Sequence, residues 1–200
     1  MIIQEQVYTA DDLWEISHLA ENADKRLALI EGVLQEMPPT GWLHGDTTIE
    51  LGSEVRAYVK AHKLGRVTAA ETGFILFKSS EPGIRDTVLA PDIGFIAAHR
   101  VPSQLPEGYV PFAPDLAVKV VSPGNTDEEI NLKVELYLRY GTRLVWVVYP
   151  KQQRIHVFRP IDSGSEGSFA FLGIEDTLEG EGVLPGFKLA LRDLFTTQNG

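Results

Sequence analysis

Apolar positions recur along this chain in two periods, and the places where one gives way to the other outline its elements. Thr9-Ala10-Asp11-Asp12 has the form of a capping box, with Asp in place of the usual Glu or Gln. Leu13, Ile16, Leu19 and Ala20 follow at helical spacing. Arg26–Ile30 and Val33–Met37, joined through Glu31-Gly32, read as a β-hairpin with a tight turn. Pro38-Pro39-Thr40-Gly41 then breaks the chain, and a helix is predicted from His44 to His62 with Ile49, Leu51, Val55 and Val59 as its apolar face.

Strand signals follow. Arg66–Ala70 and Phe74–Phe77 flank Glu71-Thr72-Gly73, and Leu89–Ile96 reads as one strand with Pro91 near its start. Residues 99–113 are rich in Pro and Gly and predict a surface loop. Asp115–Val121 is strongly β-like and ends at Ser122-Pro123-Gly124. A helix is then expected from about Thr126 to Tyr140, with Asp127, Glu128 and Glu129 in its first turn and Gly141 at its end. Arg143–Tyr149 and Arg154–Phe158 complete the strands, the first apolar enough for a sheet covered on both faces. Leu184-Pro185-Gly186-Phe187 leads to a short amphipathic segment through Leu194 and Phe195. The pattern implies a mixed sheet with helices on both sides, residues 1–200 forming one domain.

Side-chain direction singles out two lysines. Residues alternate faces along a strand, so Asp115, Ala117, Lys119 and Val121 share one face of their strand. Lys119 is therefore a cation on a covered sheet and needs an anion nearby, for which Asp92 is the natural candidate. Lys133 lies three residues after Ile130 and four before Tyr137, on the stripe that should face the sheet. Such a lysine usually snorkels outward; the alternative is that it reaches a polar site at the strand ends.

Composition narrows the chemistry. There are no cysteines, which removes disulfides, thiolate zinc sites and cysteine nucleophiles. The formal charge of −10 weighs against a large nucleic-acid surface, although a basic groove can be local. No basic-then-apolar leader opens the sequence, and the apolar run at Leu144–Val148 is too short to span a bilayer, so a cytoplasmic protein without a membrane partner is expected. His18, His62, His99 and His156 show no metal-ligand spacing, Ser122 has no histidine in a nucleophile arrangement, and no phosphate-cradling Gly-Lys loop occurs.

In order, the chain carries Leu29-Ile30-Glu31-Gly32, His44 after the double proline, Thr72-Gly73-Phe74 and Pro91-Asp92. Asp115-Leu-Ala-Val-Lys-Val-Val-Ser-Pro123 comes next, then Lys133 and Tyr137 on a helix, Val145-Trp146-Val147-Val148 and Leu184-Pro185-Gly186-Phe187. This series resembles the Uma family of restriction endonucleases, in the PD-(D/E)XK superfamily. The resemblance implies an α/β restriction-endonuclease-like fold: a mixed central sheet flanked by helices, with an N-terminal β-hairpin. It also implies a Mg²⁺- or Mn²⁺-dependent endonuclease acting on nucleic acid, DNA being favoured, and working as a homodimer. Asp92 would be a metal carboxylate and Lys133 the catalytic lysine, with His44 touching the site or a phosphate; a helix-terminal histidine without a catalytic role is the alternative.

The sequence departs from that pattern at two positions. The family's second-strand Glu corresponds to Lys119 and its hairpin Glu to Ala28. The triplet Ala117-Val118-Lys119 offers no acid either. Lys119 would then pair with Asp92 as a structural counter-ion, and divalent metal would bind weakly or not at all. Glu31, Glu71 and Asp115 are the possible substitute ligands. Glu71 is the best placed of them, the alternative being an exposed turn glutamate. A catalytically inactive relative serving as a homo-oligomeric binding module is the second expectation.

Overall fold

The computed structural model describes residues 6–79, 81, 84–160 and 168–196. The opening residues 1–5, on which the expectation of no leader partly rests, lie outside the described residues. Helix α1 (Ala10–Ser17) begins at the expected capping box, Thr9 Oγ1 accepting from the Asp12 N–H and Asp12 accepting in return from the Thr9 N–H. Strands β1 (Arg26–Ile30) and β2 (Val33–Met37) form the hairpin. Its two-residue turn holds Glu31 at φ 46° and Gly32 at φ 76°, the left-handed pair that matches strand twist.

Helix α2 (Trp42–Ala61) buries His44, Thr47, Leu51, Val55 and Val59. These residues step by three or four, so His44 belongs to the inward stripe. Ile49, expected there, is 63% exposed because it sits two residues from Leu51, on the far side of the helix.

Strands β3 (Gly65–Ala69) and β4 (Phe74–Phe77) follow, and then the chain departs from the single strand expected over Leu89–Ile96. Two strands occupy that stretch, β5 (Thr87–Leu89) and β6 (Ile93–Ala97), and they belong to different sheets. Pro91 has no N–H to give a ladder, so the chain leaves one sheet at Ala90 and enters the other at Asp92. Part of the expected loop at 99–113 is drawn inward: Val110 exchanges backbone hydrogen bonds with Gly73 and Ile75, and Ala113 is buried.

Strand β7 (Leu116–Val120) runs into α3 (Asp127–Arg139) and returns as β8 (Leu144–Tyr149), parallel to it. A second capping box, Thr126 with Glu129, starts α3. Strands β9 (Arg154–Phe158), β10 (Phe169–Leu172), β11 (Thr177–Glu179) and β12 (Lys188–Ala190) precede α4 (Leu191–Thr196).

Six strands in the order β10-β9-β8-β7-β6-β3 make the main sheet, four in the order β2-β1-β5-β4 make a smaller one, and β11 and β12 pair by themselves. The expected hairpin is therefore one half of a second sheet. Leu116, Val118 and Val120 pack with α2 and α4 on one face of the main sheet. Ala117, Val145 and Val147 pack with α3 and the smaller sheet on the other, which is the alternation read from the sequence. The two sheets meet at Gly94, where a Cβ would stand 2.7 Å from the Phe74 ring and 2.8 Å from Thr68 Oγ1. Only a bare backbone lets β4 come this close, and that approach brings the hairpin over the end of β7.

Candidate functional site

Asp92 lies at the seam between the sheets. Strand β6 runs antiparallel to β7 with Ile93 opposite Val118, so the next rung sets Asp92 opposite Lys119. Lys119 Nζ donates to Asp92 Oδ2 at 3.0 Å, and the Val120 N–H donates to the same oxygen at 2.6 Å. His44, in the first turn of α2, places Nε2 3.2 Å from Asp92 Oδ1. That contact is close but poorly aligned, so His44 acts on Asp92 as an electrostatic neighbour. The Asp92 and Lys119 side chains are only 12% and 15% exposed, which makes this a nearly buried ion pair. Burial pushes the Asp92 carboxyl up; His44, the Lys119 charge and the Val120 N–H together outweigh it and hold the pKa below the ordinary value.

The pair stands in the wall of a cavity of about 520 Å³. Lys133 lines the same cavity, so it does not snorkel outward. The hairpin closes over α3, and the lysine finds Met37 Sδ at 3.6 Å, a weak acceptor. Burial and then the Lys119 charge pull the Lys133 pKa down, against the opposing pull of Glu129 and Asp92. Tyr137 is buried on this wall, and its hydroxyl is held well above the ordinary phenol value by burial and then by the Asp92 charge. It stays a neutral donor.

A half-buried ammonium facing a thioether lowers stability, which gives a direct expectation. Lys133→Met should raise stability by about 1 kcal/mol at neutral pH. The native pKa lies below the unfolded one, so between those two values the unfolded chain binds more protons and natural stability rises with pH. Urea unfolding at pH 7 and pH 10 would show the variant's advantage shrinking at the higher pH.

The other predicted residues fall as follows. Ala28 is buried in the cavity wall, so the hairpin position that resemblance assigns to an acid does face this site. Glu71 reaches the cavity wall, but its side chain is 60% exposed and tied to Arg26. Asp115 sits at the far end of β7, where its carboxylate accepts from the Ala97 N–H at 2.8 Å and pairs with Arg100 at 3.0 Å. Glu31 lies 3.7 Å from Arg139 at the hairpin turn, away from the cavity. Sequence reasoning missed Lys25 and Arg26, which bring two more cations to the cavity wall. No periodic pattern marks them, because the smaller sheet places them.

These residues do not fit a divalent ion. Of the two carboxylates on the cavity wall Asp92 is the nearly buried one, with Lys119 and the Val120 N–H both donating to Oδ2 and His44 beside Oδ1. Among the described residues no group of three His, Asp or Glu is arranged to hold a metal. What the arrangement offers is positive charge. Lys25, Arg26, Lys119 and Lys133 line the cavity against two carboxylates, Asp92 and Glu71, in a chain of net charge −10.

A mixed sheet with a parallel β7–α3–β8 unit, crowned by a hairpin sheet over the strand ends, is a restriction-endonuclease-like nuclease fold. The Uma2 family, described as "Putative restriction endonuclease", matches residues 13–192, and the chain belongs to it. A crystal structure of a "putative nuclease" from Anabaena variabilis ATCC 29413 is similar to it, with a TM-score of 0.74 and 21% identity. The similarity covers 94% of this chain and 97% of that one. No curated protein matches the chain. Among the described residues, no helix is long and apolar enough to cross a membrane.

Proposed function

We propose that this chain is a metal-silent member of its family, which binds nucleic acid in the Asp92 cavity without hydrolysing it through a divalent ion. The observation that carries this reading is the Lys119 ammonium on Asp92 Oδ2 at 3.0 Å. A fixed monovalent cation pairs with the carboxylate that the family resemblance makes a metal ligand, and it cannot acidify a bound water as a divalent ion does. Family membership supports a nucleic-acid ligand. The four cations on the cavity wall support phosphate as the group bound there. The net charge of −10 confines that attraction to the cavity, so only a few phosphates take part.

A hydrolytic reading draws support from Asp92, Lys133 and Tyr137 meeting in one cavity. Calorimetry with Mn²⁺, followed by a DNA-cleavage assay, separates the two. The natural protein is expected to give no saturable heat and no cleavage while it retains an oligonucleotide at low salt. Tight Mn²⁺ binding that Asp92→Ala abolishes would establish the hydrolase instead.

A further inference from the structure

Beside the Asp92 cavity lies a second hollow of about 450 Å³, and the two share Gly41, Ser122, Pro123 and Asn125 as walls. The two hollows adjoin across these residues. The walls of the second are different in kind. Trp42, the first residue of α2, is 89% exposed there. Trp146, by contrast, is wholly buried, and Trp14 packs against His18 and Tyr109. Tyr149 lines the same hollow, with the Arg154 guanidinium 5.0 Å from its ring centre, and Lys151 adds a further positive charge. Asp127 is the carboxylate on this wall. At the shared boundary the Ser122 hydroxyl is fully buried and has no hydrogen-bond partner.

We propose that the cleft takes single-stranded nucleic acid, with one phosphate at Lys119 and Lys133 and the adjoining base stacked on Trp42. This rests on the nucleic-acid reading above and adds which form of nucleic acid is selected and by what. An exposed indole offers a face that any base can cover, and stacking of this kind tolerates every sequence. A base can reach that face only when it is out of a duplex, since paired bases are already stacked on their neighbours. The charge distribution points the same way. A duplex presents phosphates over a broad surface, whereas the cations here are gathered in one cavity of an acidic chain.

The test is fluorescence anisotropy at low salt, using a short fluorescein-labelled oligothymidylate alone and annealed to oligoadenylate. The full chain should bind the single strand at least ten-fold more tightly than the duplex. Trp42→Ala should weaken single-strand binding about ten-fold or more and abolish the preference, while Trp42→Phe retains most of it. Since Trp42 is so little buried, its replacement leaves the melting temperature unchanged, and a lost preference cannot be ascribed to unfolding. Equal binding of single strand and duplex, untouched by Trp42→Ala, overturns the stacking site and leaves the nucleic-acid reading standing. Failure to bind either probe overturns both.

Discussion

Lys119→Glu is expected to turn the cavity from a site indifferent to Mn²⁺ into one whose folding depends on it. Asp92 lies just before β6, one rung beyond the Ile93–Val118 pair and facing Lys119 of β7, so the substitution sets two carboxylates side by side. Facing side chains on such rungs have Cβ atoms about 5 Å apart, close enough for one ion to bridge them. Without metal the two nearly buried charges repel and Asp92 loses its counter-ion, a change that costs about 3–5 kcal/mol. A divalent ion that binds only the folded form restores stability by mass action, about 2.7 kcal/mol at a hundred times its Kd. Thermal unfolding with and without Mn²⁺, with chelator as reference, reads this directly. The natural protein should show no shift. Lys119→Gln should be destabilised without any recovery, because it removes the cation and supplies no ligand. If Lys119→Glu stays indifferent to Mn²⁺ while folded, Lys119 is not what closes the site, and Ala28→Glu becomes the change to add. A shift in the natural protein would contradict the metal-silent reading itself.

The parts of this site that a sequence can show are those set by local chemistry. Both faces of β7 follow from alternation alone, so the need of Lys119 for an anion was readable. The hairpin turn at Glu31-Gly32 and the start of α1 follow from backbone preference and capping. What stayed hidden depends on which strand meets which. The run from Leu89 to Ile96 looks continuous because nothing in its composition reveals that Pro91 marks the passage between two sheets. The Asp92–Lys119 rung needs the β6–β7 register, a tertiary quantity. The residues alone leave Lys133 open between solvent and a polar site for the same reason: whether a lysine at a stripe edge finds solvent depends on what packs over it, here Met37 of the hairpin. Trp42 carried a readable signal in its position two residues outside the His44 stripe, but an exposed tryptophan gains meaning only beside a cleft.

Asp92→Ala should be the most damaging single substitution at the site, and its damage should depend on Lys119. Removing the carboxylate leaves the Lys119 ammonium nearly buried with Lys133 as its charged neighbour, and it takes the acceptor from the Val120 N–H. Loss of one partner from a buried pair costs about 3–5 kcal/mol, most of it the penalty on the charge left behind. The double variant Asp92→Ala with Lys119→Met should therefore recover much of that loss, because no orphaned charge remains. Non-additivity above about 1 kcal/mol in urea unfolding would assign the effect to the pair, whereas additive losses would mean that Asp92 acts mainly through Val120 and His44. The pH dependence gives a second reading of the same contact. The folded pKa of Asp92 lies below its unfolded value of about 3.9, so the carboxylate's stabilisation is complete above that value and is lost as pH falls through the folded pKa. The gap between natural protein and Asp92→Ala should accordingly stay constant from neutral pH down to about pH 5 and narrow below pH 4. A gap that stays constant through pH 4 and below would mean that the Asp92 carboxylate is not what stabilises this contact.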